Sequence, residues 1–183
     1  MNIKHDIMKN EIENIISDLK NGNKEYSNKN KNILTKFIKE QSPKICVLTC
    51  SDSRVIPEFI FNKSIGELFV IRVAGNVAID HSVIKSIEYA VDHLKIKYFI
   101  ILGHTNCGAV IASEESDDQN ELLLEEIKKS YILNPNNHFK ANIIRQIDMM
   151  PKRSKIIKNK INNNELKLLG VLYNIEDGSI EFI

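Results

Sequence analysis

The sequence has no tryptophan, only three cysteines, and no apolar run approaching the roughly 20 residues a membrane-spanning helix needs. Its longest apolar stretches, such as YFIILG and ICVLTC, have the length of strands, and the opening MNIKHDIMKNEIENII is broken by charges throughout. That pattern argues against an export signal. A charge excess is also missing: 25 Lys and Arg face 24 Asp and Glu, for a formal net charge of +1. So small an excess builds no field to draw nucleic acid or an anionic membrane surface. Neither is expected as a partner, whereas a neutral small molecule is compatible. Cys46, Cys50 and Cys107 are an odd number in a chain without an export pattern, which argues against a disulfide framework and for metal binding or catalysis. Internal repeats, linkers and low-complexity tracts are absent. The 183 residues therefore read as one domain, soluble and cytoplasmic, able to bury about two-thirds of the surface its unfolded form exposes.

What is present has the rhythm of an α/β fold. Ile7, Met8, Ile12, Ile15, Ile16 and Leu19 keep the spacing of one helical face, and Asn21-Gly22 is expected to stop that helix. A second helical stretch, NILTKFIKEQ, ends before Ser42-Pro43, because the residue before a proline is biased toward extended backbone. KICVLTC, ELFVIRV and KYFIILG read as strands buried on both faces. Between the last two, Val83, Ile84, Ile87, Ala90, Val91 and Leu94 form a helical stripe. Alternating strands and helices predict a mainly parallel central sheet flanked by helices, joined by right-handed crossovers. ELLLEEIKKSYIL and NHFKANIIRQIDMM read as helices, SEESDDQN as a solvated loop or helix start, and LKLLGVLYNIEDGSIEFI as two strands around an Asp-Gly turn, the last an antiparallel edge. The expected organisation is an N-terminal helical arm over residues 1–41 and a catalytic α/β core over 42–183.

In such a sheet ligands gather beyond the carboxyl ends of the strands. CSDSR follows the first strand and supplies Cys50, Asp52 and Arg54; GHTNCG follows the third and supplies His104 and Cys107. Two thiolates and one imidazole suit zinc, and three protein ligands leave one tetrahedral position open, as a catalytic site requires. Cys46 competes with Cys50 for this role, but four positions along a strand separate them by about 13 Å. Cys46 sits inside the apolar run and reads as core. Asp52 and Arg54, two apart, face the same side of extended backbone and can pair, which keeps the aspartate ionised at neutral pH.

Together these residues resemble the β-class carbonic anhydrases, and the likeness extends over most of the chain. It runs through LKNGN, QSPKICVLTCSDSRV, GELFVIRVAGN, IEYAVDHLKIK, GHTNCGAV, NIIRQ and LLGVLYNIEDGSI. The resemblance implies one zinc ion per subunit on Cys50, His104 and Cys107, a catalytic dyad of Asp52 and Arg54, and reversible hydration of carbon dioxide to bicarbonate and a proton through zinc-bound hydroxide. It further implies that Gln41 hydrogen-bonds substrate across a dimer interface and that Phe69 and Tyr89 line an apolar pocket; Ala74 stands where plant-like members have valine. A homodimer or dimer-built homotetramer follows. Some members close their site by letting the aspartate bind the metal, a state stabilised by bicarbonate held partly by a tryptophan. Arg72 and Tyr173 match that arrangement, but Val47 replaces the tryptophan, so an open site is expected. His81 and His93 are candidates for proton export. Two other readings remain: a hydrolase of carbon disulfide or carbonyl sulfide on the same scaffold, and a zinc-binding homologue without catalysis. Retention of Asp52, Arg54 and Gln41 argues against the second, since a structural site needs no dyad.

Overall fold

The computed structural model describes residues 3–115 and 122–183, with side chains from residue 8 onward. The chain falls into two units, Met1–Glu40 and Gln41–Ile183. The first is built on α1, Ile3–Leu34, followed by a short 3-10 turn at Thr35–Phe37. The stop expected at Asn21-Gly22 does not occur, and the second helical stretch begins as the last turn of this one helix. A glycine ends a helix when it turns left-handed, and Gly22 is not among the residues with positive φ. In a helical conformation glycine costs only about 1 kcal/mol against alanine, and the 32-residue helix α1 runs through it without a break. A Cβ added at Gly22 would meet nothing within 4 Å. Gly22→Ala is therefore expected to raise helix content and stabilise α1 by about 0.5–1 kcal/mol, measured by circular dichroism during thermal unfolding.

The second unit holds a five-stranded sheet in the order β2-β1-β3-β4-β5. Its strands are β1 (Ile45–Cys50), β2 (Leu68–Val73), β3 (Tyr98–His104), β4 (Lys167–Tyr173) and β5 (Ile180–Phe182). The first four are mutually parallel and β5 runs antiparallel to β4, as the sequence predicts. Alternate residues of β1 feed opposite faces. Cys46 and Leu48 join the larger core with Ile87, Ile143, Met150 and Ile157, while Val47 packs with Val55, Ile100, Leu102 and Val171. The larger core is closed by α3 (His81–Asp92), α6 (His138–Arg153) and α7 (Lys155–Asn162). The stripe predicted on α3 is buried at Val83, Ile87, Ala90 and Val91.

Several expectations need correction. β2 is an edge strand whose residues are half-buried except for the exposed Arg72, not buried on both faces. Ser113 is no part of a solvated loop: it is buried in α4 (Gly108–Glu115), with its hydroxyl donating to the Val110 carbonyl at 2.6 Å. Residues 116–120 of that polar stretch lie outside the described residues. The ELLLEEIKKSYIL helix resolves into α5 (Leu122–Lys128) and a separate 3-10 turn at Tyr131–Leu133. A short helix, α2 (Pro57–Ile60), and all of α7 have no counterpart in the sequence reading. Among the described residues no helix is long and apolar enough to cross a membrane.

Chain direction positions the site. From β1 the chain leaves toward β2 on one side, while β3 lies on the other side of β1 and leads toward β4. The loops beyond β1 and β3 thus diverge and open a crevice at the carboxyl edge, the place where doubly wound sheets bind ligands. Cys50 ends β1 and His104 ends β3.

Candidate metal centre

Cys50, His104 and Cys107 converge in this crevice, each offering one ligand atom, and these atoms lie within 4.8 Å of one another. All three residues are buried, with 5%, 1% and 1% of their surfaces exposed. The two sulfurs are 3.9 Å apart. A disulfide needs about 2.05 Å, whereas two sulfurs at tetrahedral zinc distance from a common centre stand about 3.8 Å apart. His104 Nδ1 lies 2.8 Å from its acceptor, the carbonyl oxygen of Thr105, which places the proton on Nδ1 and leaves the Nε2 lone pair free. Nε2 is buried and has no hydrogen-bond partner. A buried acceptor left without a partner costs about 1–3 kcal/mol, and a cation between the ring and the sulfurs removes that cost. The donor set therefore fits a soft or borderline divalent metal such as zinc.

The thiols act as a pair. Cys50 is pushed down, first by the hydrogen bond from the Cys107 thiol, against the cost of burial, and further by the backbone N–H groups around it. Cys107 is pushed up by the same bond, by burial and by the charge on Cys50. The Gly75 N–H donates to Cys50 Sγ at 3.3 Å. Cys46 lies apart, fully buried in the core, where desolvation raises its thiol far above the ordinary range.

Asp52 and Arg54 meet as the sequence suggests. Arg54 Nε donates to Asp52 Oδ1 at 2.9 Å and Nη2 to Oδ2 at 2.6 Å, with the Arg54 backbone N–H on Oδ1 at 3.0 Å. This fork holds the Asp52 carboxyl well below the usual carboxylate range. Arg54 Nη2 also reaches the Asn106 carbonyl at 3.3 Å, tying the dyad to the loop that holds Cys107. Arg72 donates to the Cys50 carbonyl at 3.3 Å and the Asp52 carbonyl at 2.7 Å, so its guanidinium braces the backbone of CSDSR.

The remaining predicted residues are not gathered here. Phe69 pairs in register with Cys46, four positions before Cys50, and its ring lies 6.2 Å from that of the exposed Tyr89. Tyr89 stacks on His93 at 5.1 Å. Gln41 is exposed and precedes the amino end of β1, whereas Cys50 closes the carboxyl end. Ala74 is exposed beside Gly75, and His81 is exposed at the start of α3. Sequence reasoning missed Gly75 as a donor to sulfur and the buried amides of Asn142 and Gln146 behind it. The NIIRQ segment, which contains both amides, was the one available signal.

A parallel α/β sheet with a buried thiolate, imidazole and thiolate at its switch point defines a metal-site enzyme scaffold. The family profile described as carbonic anhydrase matches residues 45–180. The carbonic anhydrase of Mycolicibacterium smegmatis is 33% identical over 155 residues, covering 77% of this chain and 75% of that protein. The Coccomyxa β-carbonic anhydrase, solved with acetazolamide, superposes with a TM-score of 0.78 at 25% identity, over 92% of this chain and 84% of that one. A tetrameric β-carbonic anhydrase of Sordaria macrospora has the same fold, with a TM-score of 0.75 at 24% identity over 95% and 97% of the two chains. This chain belongs to the β-carbonic anhydrase family, whose general reaction is the hydration of carbon dioxide.

Proposed function

We propose that Cys50, His104 and Cys107 hold one zinc ion per subunit and that the protein hydrates carbon dioxide reversibly to bicarbonate and a proton. The observation that carries this reading is the buried, unpartnered His104 Nε2 beside two sulfurs 3.9 Å apart. A zinc ion there supplies Lewis acidity that makes water nucleophilic near neutral pH, less readily with two thiolates than with three imidazoles. Asp52, kept ionised by Arg54, accepts a hydrogen bond from the attacking water and orients its lone pair toward the carbon. Its carboxylate is taken up by three Arg54 donors and is not one of the converging ligand atoms, which favours an open site.

Gln41, Phe69 and Tyr89 are assigned to the substrate pocket of a neighbouring subunit, with the Gln41 amide meeting the oxygen on which charge develops. Their separation from Cys50 along their own chain supports this assignment, and with it a homodimer or dimer-built tetramer. Three free thiols suit a cytoplasmic, reducing setting.

Metal analysis coupled to a stopped-flow hydration assay tests the reading, with carbonyl sulfide and carbon disulfide as competing substrates. One zinc per chain and a clear preference for carbon dioxide are expected; zinc without hydration, or preference for a sulfur compound, would overturn it. The rate is expected to climb through and above neutrality. Because Asp52 titrates below the ordinary carboxylate value of about 4, the dyad is charged throughout that range, so the rise belongs to the water and not to Asp52. A flat profile from pH ~6 to ~9 would count against ionised water as the limiting species.

A further inference from the structure

We propose that Asn142, together with Gln146 one turn further along α6, is a positioning residue for the metal centre, acting on Cys50 through Gly75. The proposal rests on the zinc reading above. Gly75 faces both ways: its N–H donates to Cys50 Sγ at 3.3 Å, and its carbonyl accepts from Asn142 Nδ2 at 2.7 Å. Gly75 has φ +62° and Asn76 has φ +50°, so the backbone makes two successive left-handed turns immediately after β2. No strand ladder fixes such a segment, and its direction must come from elsewhere.

The structure supplies it from α6. Asn142 Nδ2 holds the Gly75 carbonyl. Gln146 Oε1 accepts from the Ala78 N–H at 3.1 Å, and Arg153 Nη1 donates to the Ala78 carbonyl at 2.9 Å and to Gln146 Oε1 at 3.0 Å. The loop is thereby held at both ends. Gln146 Nε2 donates to Asn142 Oδ1 at 3.3 Å, which fixes the Asn142 amide with its NH2 toward Gly75. Arg153 and Arg145 both anchor on Glu126 of α5, Arg145 through two bonds of 3.0 Å. Asn142 and Gln146 are 1% and 0% exposed. Burying two amides among Ala141, Ile143 and Met150 costs free energy unless their bonds are made, and here those bonds go to the loop that touches sulfur.

Packing points the same way. A Cβ on Gly75 would meet Ile127 Cδ1 at 2.9 Å and Ala109 Cβ at 3.2 Å, so the loop is pressed against the helix that begins next to Cys107. An N–H aimed at a thiolate withdraws charge from it and fixes its direction, and such outer contacts alter metal affinity by about 10–100-fold.

Asn142→Asp keeps the shape and the acceptor but removes the donor to Gly75. Met150→Ala, about two turns along the same helix in the core, controls for lost stability. Two readouts apply to each protein: the thiolate-to-cobalt charge-transfer bands after cobalt replaces zinc, and the rate of zinc loss to a chelator. Asn142→Asp is expected to move those bands to lower energy and to speed zinc loss about tenfold, while Met150→Ala matches the wild type in both. Gln146→Met is expected to act in the same direction to a smaller extent, and it serves if Asn142→Asp does not fold. Identical bands and zinc loss in the Asn142, Gln146 and Met150 variants would reduce the amides to ordinary packing and overturn the proposal. A wild type that takes up neither zinc nor cobalt on two thiolates would instead overturn the zinc reading and this proposal with it.

Discussion

Replacing His104 with leucine is expected to release the metal and bring carbon dioxide hydration down to the uncatalysed level. Among the described residues His104 is the one side chain that brings a nitrogen ligand to the two sulfurs, and with Nδ1 committed to the Thr105 carbonyl, only Nε2 is free to bind. Two sulfurs alone leave a zinc ion short of the three protein ligands a catalytic centre uses. Stability distinguishes this role from that of a histidine kept for packing. In metal-free protein the orphaned Nε2 costs about 1–3 kcal/mol, so metal-free His104→Leu should be as stable as metal-free wild type or more so. The metal-loaded wild type should exceed both. Thermal unfolding with and without a chelator, alongside zinc stoichiometry, checks each part. A variant that retains one zinc per chain would remove His104 from the ligand set.

Asp52→Asn is expected to leave zinc content unchanged and to lower kcat/KM about 100-fold or more, within the range typical of lost acid-base assistance. The carboxylate lies outside the group of converging ligand atoms, so metal retention does not depend on it. Asparagine keeps an oxygen for the Arg54 backbone N–H but loses the charge that the guanidinium fork holds in place. Its amide can present a donor where the attacking water needs an acceptor. Zinc analysis and stopped-flow hydration on the same preparation separate the two effects. An unchanged rate would take the dyad out of the mechanism, whereas loss of zinc would make Asp52 part of the metal's support.

The sheet and the chemistry at its edge were legible in the sequence for one reason. Cys50, Asp52, Arg54, His104 and Cys107 sit directly after β-branched apolar runs, so strand ends and ligands are read from the same local pattern. The supports were not legible. Gly75 and Asn142 are 67 positions apart, and nothing near either announces the other. Asn142 and Gln146 have the spacing of a solvent-facing helical stripe, yet both are buried because the loop after β2 lies against that face. Gly22 misled because glycine is a stop only in a left-handed turn, a property of the backbone and not of the letter. Phe69 of β2 and Tyr89 of α3 come together away from Cys50 of their own chain, a pairing of two elements that neither local pattern spells out.

The two sulfurs of the centre are 57 positions apart in the chain and become neighbours only when β1 and β3 lie side by side. A nascent polypeptide therefore has no pocket to offer an ion, and loading must follow assembly of the sheet. An ion seated there would join two parallel strands across their shared edge as a crosslink made without any covalent bond between sulfurs. Metal loading would in this way couple the folding of the sheet to the chemistry at its edge.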